Sequence, residues 1–178
     1  KAEAQAREAQ IEAALERVRS RSLAMHNSVE LEDVIAVLFE KLKGLGLSFD
    51  ATSIQMFKDD SKNSVSWVAN PDVIFKPLLI QHPYDEKYLH KSQLFFELWD
   101  ARKTSKYFEY VIKYNPQLPP EVGKRMREAP SYTHSLAVEK NAILIVDSWV
   151  DSQISQEDFL VVKRFAKVFD QTYTRFLD

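Results

Sequence analysis

The larger apolar side chains of the first stretch fall at Ile11, Leu15, Val18 and Met25, and adding Ala4 and Ser22 gives an alternating four-three spacing. That is the period of a narrow coiled-coil seam rather than of a broad core-facing stripe. Residues 1 to about 26 are rich in Ala, Glu, Gln and Arg and contain neither Gly nor Pro, so the spacing sits on one long helix. The seam predicts pairing with the same helix of a second chain; the alternative is an amphipathic helix lying on its own domain.

A second helix follows, with Asn27 or Ser28 as its cap and Glu30, Glu32 and Asp33 in its first turn, where the helix dipole favours negative charge. Leu31, Val34, Leu38, Leu42 and Leu45 mark its core face, widened by Ile35 and Phe39, and Gly44 and Gly46 end it. The period then switches to alternation. Ala51 to Phe57 sets Thr52, Ile54 and Met56 against Ser53, Gln55 and Phe57, as in a strand. A polar turn over Lys58 to Ser64 leads to a second strand, Val65 to Ala69, and a third covers Lys76 to Gln81.

From Tyr84 to Arg127 helical windows at Gln93 to Arg102, Lys106 to Tyr114 and Glu121 to Glu128 are broken by Pro116, Pro119, Pro120 and Pro130. Two further strands, Tyr132 to Glu139 and Ala142 to Trp149, are joined by a turn at Lys140 and Asn141. Ser155 with Asp158 opens a last helix, whose face carries Phe159, Val162, Phe165, Phe169, Tyr173 and Phe176. The order predicts an α+β domain, an antiparallel sheet of about five strands with helices on one face and long helices at both ends.

Composition narrows the partners. Twenty-four Lys and Arg against 26 Asp and Glu leave a net charge of −2, without the basic excess that nucleic acid demands. The absence of cysteine removes disulfides, thiolate metal sites and cysteine nucleophiles together. The longest apolar runs, Val34 to Phe39 and Ala142 to Val146, are too short to cross a bilayer, and the charged N-terminal stretch has no signal-peptide core, which points to the cytoplasm. Beginning and ending inside helical patterns, the chain reads as an excerpt of a longer protein.

The order of elements resembles the GAF family of sensory domains. Asn141-Ala-Ile-Leu-Ile-Val-Asp-Ser-Trp149, then Ile154-Ser-Gln-Glu-Asp-Phe159 and the helix beyond, resemble that family's last strand, its Ser-x-Glu-Asp helix start and its exit helix. Ser28 to Leu45 resembles its first helix and Asp50 to Met56 the strand after it. The lead-in Ala6 to Arg19 is similar to inter-domain helices of large bacterial sensor proteins, many from Bacteroidetes, in which GAF-like units precede a histidine kinase or other output module. The resemblance implies a signalling helix over residues 1–27 and a GAF-like sensor domain over 28–178. It also implies a non-catalytic regulatory role: a homodimer formed through the terminal helices at Ile11, Leu15, Val18 and Met25, and a small ligand held on the sheet.

On a GAF-like sheet the residues directed at that ligand are Trp67, His82, Tyr84, Tyr88, Trp99, Tyr107, Tyr132 and His134, which combine apolar rings with polar edges. Their packing together as plain core is the competing expectation, and a domain without ligand would be a dimerisation and coupling module. No cofactor is identifiable. The family's Asn-Lys-Phe-Asp-Glu set for cyclic nucleotides is not assembled, and no cysteine exists to hold a bilin. Three glycines exclude phosphate-cradling loops, and His26, His82, His90 and His134 form no metal-ligand pair. His26, beside the predicted end of the first helix, fits a polar terminus better than a phospho-acceptor. Lys124, Arg125 and Arg127 share a short helix and read as a solvated face.

Overall fold

A computed structural model describes residues 1–57, 63–70, 78–81, 94–150 and 152–177. Five α-helices are described: α1 (Ala2–Leu23), α2 (Leu31–Gly44), α3 (Ala101–Tyr114), α4 (Pro120–Glu128) and α5 (Gln156–Leu177). The strands are β1 (Ala51–Phe57), β2 (Asn63–Ala69), β3 (Leu78–Gln81), β4 (Leu94–Trp99), β5 (Tyr132–Val138) and β6 (Ile143–Ser148). All pairings in the six-stranded sheet are antiparallel, in the order β3-β2-β1-β6-β5-β4.

The sixth strand is a correction. Gln93 to Arg102, expected as a helix, contains β4, because Leu94 to Trp99 is rich in aromatic residues and finds an open edge beside β5. Asp100 then ends the strand and caps α3, its side chain accepting from the Lys103 amide at 2.8 Å, so the helix starts five residues before Lys106. The turn at residues 58–62 and the start of the third strand at 76–77 lie outside the described residues.

Register sorts the side chains onto two faces. Ile54, Met56, Trp67, Ala69, Ala137, Leu144 and Val146 join one core with α1, α2 and α5. On the reverse, Tyr132 and Trp149 join Phe108 and Val111 of α3 and Val122 and Met126 of α4. Helices therefore cover both faces, not one as expected.

Local chemistry fixes the helix ends, with one shift from the pattern: the expected cap Asn27 opens a 3-10 turn, and α2 begins only after Glu30, which makes no side-chain cap bond. Asn27 accepts from the Val29 amide at 3.0 Å and donates to Glu30 at 2.9 Å, forming a 3-10 turn over Ser28–Glu30 before α2. Gly46 ends α2 with φ of 84°: its amide reaches the Lys43 carbonyl at 2.9 Å and the Leu47 amide reaches Leu42 at 3.3 Å, the paired bonds of a Schellman stop. Ser155 Oγ accepts from the Asp158 amide at 3.0 Å and opens α5. The β5–β6 turn is pinned to α5, since Asp170 accepts from the Asn141 amide at 2.8 Å and Thr174 from the Asn141 side chain at 3.0 Å.

The seam on α1 is used within the chain. Ile11, Leu15, Val18 and Met25 are all buried in the core that α1 shares with α2 and α5, with Val18 at 0% exposure. The four-three spacing was assigned to a second chain, but α5 supplies the partner helix that the narrow stripe requires. The two run parallel: Arg7 pairs with Asp158 at 3.7 Å, Arg164 with Glu8 at 2.7 Å and with Glu12, and Ser22 with Thr172 at 2.6 Å. Among the described residues no helix is long and apolar enough to cross a membrane.

Leu15→Ala should therefore lower the unfolding free energy by about 2–5 kcal/mol, independently of protein concentration. Urea unfolding at two protein concentrations checks this; a midpoint that falls on dilution would mean that the seam is a contact between chains.

Candidate functional site

The sheet faces differ in chemistry. On the side of α1, α2 and α5 the inward strand residues are apolar apart from four hydroxyls, Thr52, Thr133, Ser135 and Ser148. On the side of α3 and α4 the register instead brings Ser53, Gln55, Ser66, His134 and Asp147 into the interior, all buried. Burying polar groups costs free energy unless each is matched, so a row of them marks a surface with a task beyond filling space.

Four of the expected site residues converge at the β4 end of this face. Trp99 lies with its ring centroid 5.2 Å from Tyr107, 5.3 Å from Tyr132 and 4.9 Å from His134, the first and last edge-on. Cross-strand pairing sets Trp99 opposite Tyr132 and Glu97 opposite His134. His134 Nε2 stands 3.2 Å from Glu97 Oε2. Trp67 is not part of this group. It pairs across the strands with Ile54 and is buried in the core beneath α1, α2 and α5, because its position in β2 has the opposite parity. His82, Tyr84 and Tyr88 lie outside the described residues.

Asp147, opposite His134 in the sheet, is the residue the sequence reading passed over. Its carboxylate accepts from Trp149 Nε1 at 3.0 Å. Burial pushes its pKa up to about 8; hydrogen bonds from Trp149 and Tyr132 oppose that rise, and the nearby Asp50 charge adds to it. The group is thus mostly protonated at neutral pH and can donate as well as accept. The Tyr107 phenol is held well above its ordinary range, first by burial and then by Asp147 and Tyr110. Asp50 fixes the strand end, accepting from the Trp149 amide at 2.8 Å while its own amide donates to the Asp147 carbonyl at 2.8 Å.

The sequence did carry a signal for Asp147, the lone charge ending the apolar run Ala142 to Val146. Glu97 shares the parity of Trp99 but was hidden by the helical assignment. The basic residues of α4 do not converge on an anion: Arg127 faces Glu109 at 3.3 Å, Lys124 faces Glu128 at 3.9 Å, and Arg125 lies over the Trp149 ring at 5.2 Å.

No protein-family model matches the chain, and no curated protein sequence does. Solved structures do. One described as the structure of the GAF domain shares 12% identity and aligns over 93% of this chain and 88% of its own, with a TM-score of 0.55. A phycocyanobilin-bound GAF domain from a cyanobacterial phytochrome shares 16% identity over 93% of this chain and 96% of its own, at a TM-score of 0.54. The GAF domain from a phosphoenolpyruvate-protein phosphotransferase of Coxiella burnetii shares 16% over 93% and 95%, at 0.51. The chain has the GAF fold. At these identities the likeness establishes architecture, and the polar face belongs to this sequence.

The raised pKa of Asp147 gives a pH dependence of known sign. In the unfolded chain the carboxyl ionises near about 3.9. The folded state holds the proton up to about 8, so stability falls as pH rises through that window. Asp147→Asn should flatten the decline in melting temperature between pH 5 and pH 8.5 relative to the wild-type chain. Parallel slopes in the two proteins would show that Asp147 is not held neutral.

Proposed function

We propose that this chain is a regulatory, non-catalytic sensor domain of a bacterial signal-transduction protein, of the kind in which GAF units stand ahead of a histidine kinase or another output module. It holds a small molecule against the sheet face bearing Trp99, Tyr107, Tyr132, His134 and Asp147. The observation that carries this reading is the imidazole, carboxyl and amide of His134, Asp147 and Gln55 buried on one face of the sheet, where the opposite face buries only hydroxyls among its apolar side chains. Rings with polar edges around a few convergent hydrogen-bonding groups are the usual lining of a ligand site.

The signal would pass to α1 and α5. β5 and β6 present one parity to the site and the other to the helical layer, and Asn141 ties their turn to α5. A ligand shifts such an arrangement only by binding one state of it more tightly. Since the seam of α1 is engaged within the chain, pairing with a second copy through the terminal helices falls to their outward faces.

A second reading, a coupling module without ligand, draws on the close packing of Trp99, Tyr107, Phe108, Tyr132 and Trp149, whose neighbouring centroids are 5.2–5.6 Å apart. Thermal-shift screening of metabolites with native mass spectrometry separates the two. A ligand at a hundredfold excess over its dissociation constant adds about 2.7 kcal/mol of stability. For a domain of this size that raises the melting temperature by roughly 5–10 °C. A broad panel giving no shift, with no retained mass on the purified chain, would overturn the sensor reading in favour of the coupling module.

A further inference from the structure

The rim of the polar face already holds a cation. Lys103 Nζ lies 4.0 Å from the centroid of the Trp99 ring and 3.4 Å from Glu97 Oε1, while the other oxygen of the same carboxylate faces His134 at 3.2 Å. Around Trp99 the rings of Tyr107, Tyr132 and His134 close the sides. An aromatic face backed by a carboxylate is the combination that recognises an organic ammonium, through the ring quadrupole and a charge-assisted hydrogen bond.

Lys103 is an unusual choice of resident. It sits in the first turn of α3, which contains no acidic residue, so its positive charge opposes the helix dipole. Its side chain is 53% exposed on a flexible four-carbon stem, free to swing out. The other lysines over rings among the described residues differ: Lys43, 4.3 Å from the Phe49 centroid, donates to the Phe49 carbonyl and clamps a loop, and Lys113 lies 5.3 Å from the centroid of its neighbour Tyr114. At Lys103 the Glu97 carboxylate leads inward, to the buried His134 and from there across the strands to Asp147.

We propose that the ligand of this site is a small organic cation, an amine or quaternary ammonium, and that Lys103 is its tethered competitor. The ligand's ammonium takes the place of Lys103 Nζ over Trp99 and beside Glu97, and its remainder lies on the rings of Tyr107 and Tyr132. This rests on the sensor reading above and specifies its ligand. Displacing Lys103 removes a contact between β4 and the start of α3, so occupancy of the site is felt by the helix that covers it.

Calorimetric titration of the 178-residue chain with choline and tetramethylammonium chlorides at fixed ionic strength, beside neohexyl alcohol as the uncharged isostere of choline, tests it. Both cations should bind and the alcohol should bind on the order of tenfold more weakly or not at all. Lys103→Met should tighten cation binding on the order of tenfold, because the competing occupant is gone, and a gain of this kind does not arise from misfolding. Glu97→Gln should weaken it roughly tenfold or more. If neither the wild-type chain nor Lys103→Met prefers the cations to the alcohol, the inference is overturned. A neutral or anionic metabolite that binds while the cations fail overturns it and leaves the sensor reading standing; a folded chain that takes up nothing overturns both.

Discussion

Every residue of β5 is buried, from Tyr132 to Val138, and on this the rest of the structure turns. A strand covered on both sides has no solvent face on which to discharge its polar residues. Each one must meet a partner inside the protein. The chain resolves the difficulty by giving the two sides different chemistry. One parity of β1, β2, β5 and β6 supplies apolar packing and a few hydroxyls to a helical layer, and the other adds an amide, an imidazole and a carboxyl to the interior of the opposite face. A protonated Asp147 is the natural outcome, since an ionised carboxylate at that depth would need a buried cation beside it; it takes hydrogen bonds from Trp149 and Tyr132 instead.

The helical layer is held by a different logic. Val18, Leu31, Val34, Leu38, Val162 and Phe165 are completely buried, so hydrophobic packing sets its position. The polar pairs between α1 and α5 lie along its margin and fix which residues stand opposite one another. Arg164 with its two glutamates is exposed and adds little stability on its own, but together with the buried Ser22–Thr172 hydrogen bond it selects one register.

Much of this was legible in the sequence. Local chemistry announced itself at Gly46, Ser155 and Asn141, where one residue type has one mechanical use, and the alternation in β1 gave its two faces correctly. Non-local choices were less visible. Nothing in the spacing of Ile11, Leu15, Val18 and Met25 tells whether the facing helix belongs to another chain or lies some 150 residues further along the same one. Leu94 to Trp99 has enough apolar residues for either period, and the vacant edge of β5 decided the matter. Trp67 was selected for its chemistry, whereas its place follows from parity alone. The same blindness concealed Glu97 and Asp147, which become conspicuous only when pairing sets them on either side of His134.

The parallel course of α1 and α5 has a geometric corollary. Each helix has 22 residues, a rod of about 33 Å, and the contacts from Arg7–Asp158 to Ser22–Thr172 keep the two side by side in the same sense. A polypeptide segment fused ahead of α1 and one fused beyond α5 would consequently project from opposite poles of the domain. Units of this design strung in tandem would build a column with the paired rods along its axis, and whatever twists one rod against the other would be inherited by the next storey.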